Sequence, residues 1–402
     1  MRHRFARAAV AALSVTAVAI VGAPQALSAN SHAAAAVCPA PAVGAARCHA
    51  LVVTDARGNP LATTSPTGLS PAQFHTAYAL PTTVVPAQTI AIIDAYDAPT
   101  IAQDLVKYDA QFGLPAFPKC GGGVTTACFQ KVNQNGNASP LPRKNAGWAL
   151  EISLDVEIAH AICQNCKILL VEASSNGFTN LATAVDTAAS LGADVISNSY
   201  GGSESSGASS LASSYDHPGV AVTVSSGDGG YGVETPASFN TVVAVGGTTL
   251  RLNTDDTWSS ETVWSGTGSG CSSFFAADSW QTSLSEWSTT GCGNNRGVVD
   301  VAADADPNTG ASVYDSTRYQ GQLGWFQVGG TSLSAPLIGA VYALAGRSAF
   351  PSYPASLPYA HTGSLHDVTS GFNGSCSTTM CRGAAGYDGP TGVGTPDGLA
   401  AF

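Results

Sequence analysis

The sequence predicts an α/β fold of three layers, a mainly parallel central sheet covered by helices on both faces. Short apolar runs recur along the chain: Thr89-Ile-Ala-Ile-Ile93, Lys167-Ile-Leu-Leu-Val171, Asp194-Val-Ile-Ser197, Val220-Ala-Val-Thr-Val224 and Val242-Val-Ala-Val245. Several are apolar or β-branched at nearly every position, as strands buried on both faces are. Helical stretches fall between and after them, at 146–162, 180–191 and 331–345, the last closed by Gly346. Strand alternating with helix, without internal repeat, is the pattern of a parallel sheet.

Composition narrows the setting. The 402 residues carry only 11% charged side chains and a formal charge of −11. No run of Lys or Arg could serve a nucleic-acid partner. Few charges with much Gly and Ala suit a compact extracellular enzyme, and protonated carboxylates at acid pH would leave little fixed charge to repel. Arg2, His3, Arg4 and Arg7 precede an apolar run from Ala8 to Val21 and small residues around Ala26-Leu-Ser-Ala29. That layout is a signal peptide over 1–29, and the run is too short to span a bilayer. A secreted chain without a membrane anchor is expected. Residues 30–67, rich in Ala, Pro and Thr, read as a short, loosely structured lead-in, with the enzyme domain at 68–402.

Ten cysteines in an exported chain favour disulfides. They fall into close pairs, Cys38/Cys48, Cys120/Cys128, Cys163/Cys166, Cys271/Cys292 and Cys376/Cys381, and local pairing is the expectation. A zinc site at Cys163-Gln-Asn-Cys166 would need two further ligands nearby.

Sites in open parallel sheets form beyond the carboxyl ends of the strands. Asp94, Ser197-Asn-Ser-Tyr-Gly-Gly202 and Ser225-Ser-Gly-Asp228 stand at such ends. Ser332, in Gly329-Gly-Thr-Ser332, lies where a Gly-rich loop meets a helix, whose free N–H groups can stabilise negative charge. A serine there is equally a helix cap, so a catalytic role requires a base. No histidine has a suitable setting, and His160 reads as a core or surface residue. Glu151 and Asp155 are one helical turn apart, on a face shared with Trp148, Ile152, Ala159 and Ile162. Two carboxyls in apolar surroundings cannot both ionise cheaply, so one holds its proton to raised pH. Such a pair can serve a serine as base and orienter, best at acid pH. Glu157 falls off that face and reads as structural. Asp228, kept neutral, could donate to an oxyanion, though alone it is an ordinary turn residue.

Several motifs in order resemble the sedolisins, serine-carboxyl peptidases with a subtilisin-like fold: Glu151-xxx-Asp155, Ser225-Ser-Gly-Asp228, Pro236-Ala-Ser238 leading to Val245-Gly-Gly-Thr248, Asp300-Val-Ala-Ala-Asp-Ala-Asp-Pro307 and Gly330-Thr-Ser332. The resemblance runs from about Leu69 to Phe402. It implies Ser332 as nucleophile, Glu151 as general base, Asp155 as its orienter and Asp228 as oxyanion donor, where subtilisins use Asn. It also implies that Ser197, Ser199, Tyr200 and Gly201 line the strand edge that pairs with substrate, Tyr200 standing where Trp is more usual. The substrate is then a protein or peptide, and the enzyme a monomer. His366-Asp-Val-Thr-Ser-Gly371 and Ala385-Gly-Tyr-Asp-Gly-Pro-Thr-Gly-Val-Gly-Thr-Pro-Asp397 resemble the family's calcium site. Its implied ligands are Asp367 and Asp388 with the carbonyls of Val368, Ala384 and Gly386, oxygen donors of the kind calcium takes. Ala384 stands in place of the usual Gly, and Pro396-Asp-Gly398 reads as a turn rather than a ligand.

Two departures bear on function. Sedolisins usually carry a long N-terminal pro-domain, whereas here only residues 30–67 precede the enzyme domain. Either folding is assisted differently, or a segment holding Cys38 and Cys48 stays attached. Asp94 ends the first strand, where subtilisins keep a catalytic Asp, and reads as structural or supporting. The rival readings are a non-catalytic binding protein on a peptidase scaffold and a Ser/His/Asp protease using Asp94.

Overall fold

The computed structural model describes Met1, His3, residues 32–346 and residues 350–402. Apart from its first and third residues, the signal-peptide stretch lies outside the described residues. His32–Phe402 form one compact unit.

The chain enters through three short strands, β1 (Ala33–Ala36), β2 (Arg47–Cys48) and β3 (Leu51–Thr54), followed by the capped helix α1 (Pro71–Ala77). The apolar runs then become β4 (Thr89–Ala95), β6 (Lys167–Ala173), β7 (Val195–Asn198), β9 (Ala221–Ser225) and β11 (Val243–Leu252). With β5 (Phe129–Asn133) they form a parallel sheet in the order β5-β6-β4-β7-β9-β11. β12 (Trp258–Val263) adds an antiparallel edge, while β15 (Val301–Asp304) pairs parallel with β11. Between β7 and β11 lie β8 (Tyr200–Ser203) and β10 (Glu234–Thr235), a small antiparallel pair. β13 (Gly270–Ala276) pairs with β14 (Asn295–Val298), and β16 (Ala311–Tyr319) with β17 (Gln322–Gly329).

Helices α2 (Ile101–Phe112), α3 (Ala146–Ile162) and α4 (Phe178–Ser190) connect the strands, with single turns α5 (Ser206–Ser209) and α6 (Ser279–Thr282) and the long α7 (Thr331–Ala345) after β17. The arrangement is the α/β fold expected, a mainly parallel central sheet with helices packed on it. α3 begins where Asn145 Oδ1 accepts from the Gly147 and Trp148 amides at 3.0 and 3.1 Å. From Trp148 to Ile162 every side chain of α3 is buried, the pattern of a helix enclosed by protein on all sides. It packs against α7, and both rest on β4.

Of the lead-in expected at 30–67, residues 30 and 31 lie outside the described residues, and 32–67 are not loose. From residue 32 the chain is part of the fold: β1 pairs with β3, β3 with β17, and Val37, Ala46, Ala50 and Val52 are core residues. Alanine and valine are small enough to fit beneath neighbouring strands, so the composition that reads as loose also suits close packing. All ten cysteines are paired, in the five local disulfides expected, Cys163–Cys166 included, which excludes zinc there. Among the described residues no helix is long and apolar enough to cross a membrane.

Candidate active site

Ser332 is the second residue of α7 and is fully buried. Gly330, just before the helix, has φ 93°, in the region that favours glycine. A Cβ there would lie 1.9 Å from the His49 carbonyl oxygen and 2.6 Å from Asp228 Oδ2. Backbone geometry and space therefore both require glycine. The Ser332 hydroxyl donates to the Ser199 carbonyl at 3.3 Å, and its amide N–H points to the His49 carbonyl at 3.5 Å. Being in the first helical turn, that N–H has no partner within the helix.

The packing of α3 on α7 brings Glu151 and Asp155 to Ser332. Burial raises Glu151 well above the ordinary carboxyl range, and the Asp155 charge adds to it, against the Ser332 hydroxyl and the Ala50 amide. Burial likewise raises Asp155, against the nearby Ser199 hydroxyl, which itself reaches the Ser332 carbonyl at 3.5 Å. Glu151 Oε2 accepts from the Ala50 amide at 3.0 Å, while neither Asp155 oxygen has a hydrogen-bond partner among the described residues. In such a pair one carboxyl keeps its proton to raised pH.

Asp94 belongs to the same cluster. It is fully buried and without a hydrogen-bond partner among the described residues. Burial raises it, then the charges of Asp155, Glu151 and Glu172. No histidine ring is bonded to Asp94 or Ser332 among the described residues. His75 bonds the Leu80 and Ala161 carbonyls, and His160 bonds Asp109 at 3.1 Å and stacks on Phe117. Glu157 bonds the Tyr314 amide away from the site.

Asp228 faces the cluster from the loop after β9. Its Oδ1 accepts from the Thr331 amide and hydroxyl, each at 2.8 Å, and Oδ2, shielded from solvent, has no partner among the described residues. Burial pushes its carboxyl up to about 6, against the His49 charge and the Thr331 bonds. Below about 6 its carboxyl is therefore protonated.

The strand-edge residues divide. Ser197 sits inside the sheet, paired to Ile92 and Thr223 on either side, so its backbone faces no substrate. Ser199, Tyr200 and Gly201 lie on the edge leading to β8. That edge is not bare: Arg47 pairs with Gly201, Cys48 with Tyr200, and the His49 amide donates to the Ser199 carbonyl at 3.2 Å. The Tyr200 side chain points away, its hydroxyl bonding Asn198 Oδ1 at 2.8 Å and the Tyr215 hydroxyl at 3.0 Å.

Sequence reasoning missed His49 and Glu234. The His49 ring is buried, with Nδ1 2.7 Å from Ser225 Oγ and Nε2 2.9 Å from Glu234 Oε2. Burial raises Glu234, but the His49 and Arg47 charges outweigh it and its carboxyl ends below the ordinary range. The signal available was Cys38/Cys48: a disulfide in a stretch read as loose marks a held conformation.

In the implied calcium loops, Asp367 Oδ2 accepts from the Gly386 amide at 3.0 Å. Asp388 accepts from the Ala384 amide and from the Thr391 amide and hydroxyl. Among the described residues the carbonyls of Val368, Ala384 and Gly386 receive no hydrogen bond. Two nearby carboxylates with free carbonyls suit a hard cation.

The Subtilase family model matches residues 124–361. The chain is 30% identical over 370 residues to sedolisin of Pseudomonas sp. (strain 101), covering 82% of this chain and 60% of that one. It is 29% identical over 368 residues to kumamolisin of Bacillus sp. (strain MN-32), covering 83% and 63%. The chain thus spans less than two thirds of the length of these curated relatives. Among solved structures, Pseudomonas sedolisin, a serine-carboxyl proteinase complexed with pseudo-iodotyrostatin, is similar with TM-score 0.65 and 27% identity over 83% of this chain and 96% of that one. A psychrophilic protease, at TM-score 0.53 and 17% identity over 83% of this chain and 99% of that one, shares the fold.

Proposed function

The chain belongs to the subtilase family, within it to the sedolisins, and on that footing we propose that it is a secreted serine-carboxyl peptidase working at acid pH. One observation carries this reading: Ser332, the pair Glu151/Asp155 and the raised carboxyl of Asp228 gather in one place, and no histidine ring is hydrogen-bonded to any of them among the described residues.

The Ser332 hydroxyl attacks the substrate carbonyl and Glu151 takes its proton. Asp155, one turn along α3, holds the second proton of the pair and keeps Glu151 oriented. The oxyanion receives the Ser332 N–H and the Asp228 carboxyl O–H, donors aimed at developing charge. Glu151 then protonates the leaving amine. Asp228 must be neutral to donate, so activity falls as pH rises through about 6. Asp94 extends the buried pair and opposes further ionisation.

Asp367, Asp388 and the carbonyls of Val368, Ala384 and Gly386 would hold calcium, which supplies a structural clamp between the two C-terminal loops. The signal-peptide layout supports secretion, and the backbone edge at Ser199–Gly201 supports a protein or peptide substrate. The absence of a bonded histidine at Ser332 and Asp94 among the described residues speaks against a Ser/His/Asp protease. A non-catalytic binding protein would have no evident use for a buried carboxylate pair, which destabilises a fold.

Hydrolysis of denatured casein at pH about 3 to 5 tests the reading. The wild-type chain should cleave it and Ser332→Ala should not; activity surviving that substitution overturns the proposal.

A further inference from the structure

The backbone on both sides of Asp228 is fixed by neighbours distant in sequence. Before it, the Gly227 carbonyl accepts from the Gly268 amide at 2.7 Å, and the Gly227 amide donates to the Thr331 hydroxyl at 3.2 Å. After it, the Gly230 amide donates to the Gly266 carbonyl and the Tyr231 amide to the Asn373 carbonyl, each at 2.8 Å. A Cβ at Gly230, where φ is 74°, would lie 2.6 Å from that same Asn373 oxygen. One at Gly374 would lie 2.6 Å from the Tyr231 Cβ. The loop bearing Asp228 and the C-terminal loop therefore meet backbone to backbone.

Asn373 also grips the stretch 266–269, against which the Asp228 loop is bonded. Its side-chain nitrogen donates to the Thr267 carbonyl and to the Ser269 hydroxyl, each at 2.7 Å. A carbonyl only accepts, so the amide nitrogen must face Thr267. Asn373 is itself firmly mounted. It is buried, its amide donates to the Cys381 carbonyl at 3.1 Å, and the Gly383 amide donates to the Gly371 carbonyl at 3.0 Å. The Cys376–Cys381 disulfide closes this loop, and the Val263 amide at the end of β12 holds its Ser370 carbonyl at 2.9 Å. Among the described residues Asn373 makes no hydrogen bond to Ser332, Glu151, Asp155 or Asp228. Whatever it contributes to them passes through the backbone of 227–231.

We propose that Asn373 is a positioning residue for the oxyanion donor, setting where Asp228 stands while touching no reacting atom; this rests on the serine-peptidase reading. An oxyanion donor works only when it is aimed at the place where charge develops. Thr331 fixes one carboxyl oxygen of Asp228, and Asn373 fixes the chain on which that carboxyl is carried. The same grip keeps Asp228 from water. Burial is what raises its carboxyl to about 6, with Glu151 facing it and the His49 and Arg47 charges opposing the rise. A loosened loop lets water reach the carboxyl, which then titrates at lower pH.

The test is a double-substitution cycle on casein hydrolysis, with kcat and KM measured at pH about 4 and each variant assayed below its melting temperature. Asn373→Ala should lower kcat by about 10²-fold with little change in KM, as a displaced group does. In the Asp228→Ala chain no donor is left to place, so adding Asn373→Ala should lower kcat no further. The alkaline limb of the Asn373→Ala profile should move to lower pH. Ser269→Ala removes one acceptor of the Asn373 side chain and leaves the main-chain bonds; it should show the same pattern with a smaller loss, and replaces Asn373→Ala in the cycle if that variant does not fold. Asn373→Asp, whose protonated carboxyl can donate one of the two bonds, should recover part of the loss at the acid end of the range. Equal falls with and without Asp228, or an unchanged kcat in Asn373→Ala, would overturn the proposal and leave the peptidase reading standing. A wild-type chain that does not cleave casein would overturn both.

Discussion

The Ala50 amide donates to Glu151 Oε2 at 3.0 Å, so a peptide nitrogen touches the candidate base before any substrate arrives. The contact joins the N-terminal segment to the middle of α3. It explains how a fully buried carboxyl is provided with a polar partner, and makes Glu151 the residue whose chemistry should be most exposed by substitution. Glu151→Gln preserves an acceptor for the Ala50 amide but removes the base. We expect kcat on denatured casein to fall by about 10²–10⁴-fold, with no fall in melting temperature. Steady-state kinetics with thermal melts check both halves.

Asp228 should set the alkaline limit of activity. Below about 6 its carboxyl is protonated and can donate; above, the carboxylate repels the oxyanion. Asp228→Ala should cost about 10²–10³-fold in kcat, as loss of an oxyanion donor does. Asp228→Asn keeps an acceptor for Thr331 and donates at every pH, so its pH–kcat profile should lose the limb near 6. An Asn variant that keeps that limb would assign it to another group.

Much of the site was legible in the sequence, for reasons specific to each residue. Glu151 and Asp155 announce themselves by helical spacing on an apolar face, and Ser332 by a Gly-rich loop before a helix. The strands around the sheet are readable because both their faces are buried. His49, in contrast, reaches the site only through long-range pairing of β2 with β8, which no local periodicity encodes. Ser197 lies within the sheet with strands paired on both sides, and the edge that β2 covers begins only after Asn198, a difference of pairing that local sequence does not show. Asp94 was readable as the end of a strand, but its place beside Asp155 depends on α3 lying over β4.

The buried acids make folding stability pH-dependent. Glu172, held near Lys131 and the Ala98 amide, is raised to about 8, chiefly by burial, and Asp315 to about 7 for the same main reason. Both folded values exceed those of the unfolded chain, so their contribution is complete below about 4 and is lost as pH rises through the folded values. The melting temperature should therefore fall between pH about 4 and 8. Glu172→Gln should flatten part of that decline, and a melting temperature that rises over the same range would contradict it.

Calcium can be tested apart from catalysis. In the Ser332→Ala chain, chelator should lower the melting temperature by a few degrees and added calcium should restore it. Asp388→Ala should abolish the response. Unchanged melting in chelator, or calcium binding undiminished in that variant, would remove the assignment.

Helix α3, buried from Trp148 to its end, also changes how the protein presents itself electrically. The sequence isoelectric point of about 5.0 treats every acid as ordinary. The Glu151/Asp155 pair, Asp94, Glu157 and Asp304 hold protons to higher pH in the fold than in the unfolded chain, chiefly because they are buried. The native molecule is thus less negative than its own denatured chain at the same pH. In an electrophoretic gradient it should focus at a higher pH than the urea-treated protein, and unfolding near neutrality should acidify a weakly buffered solution.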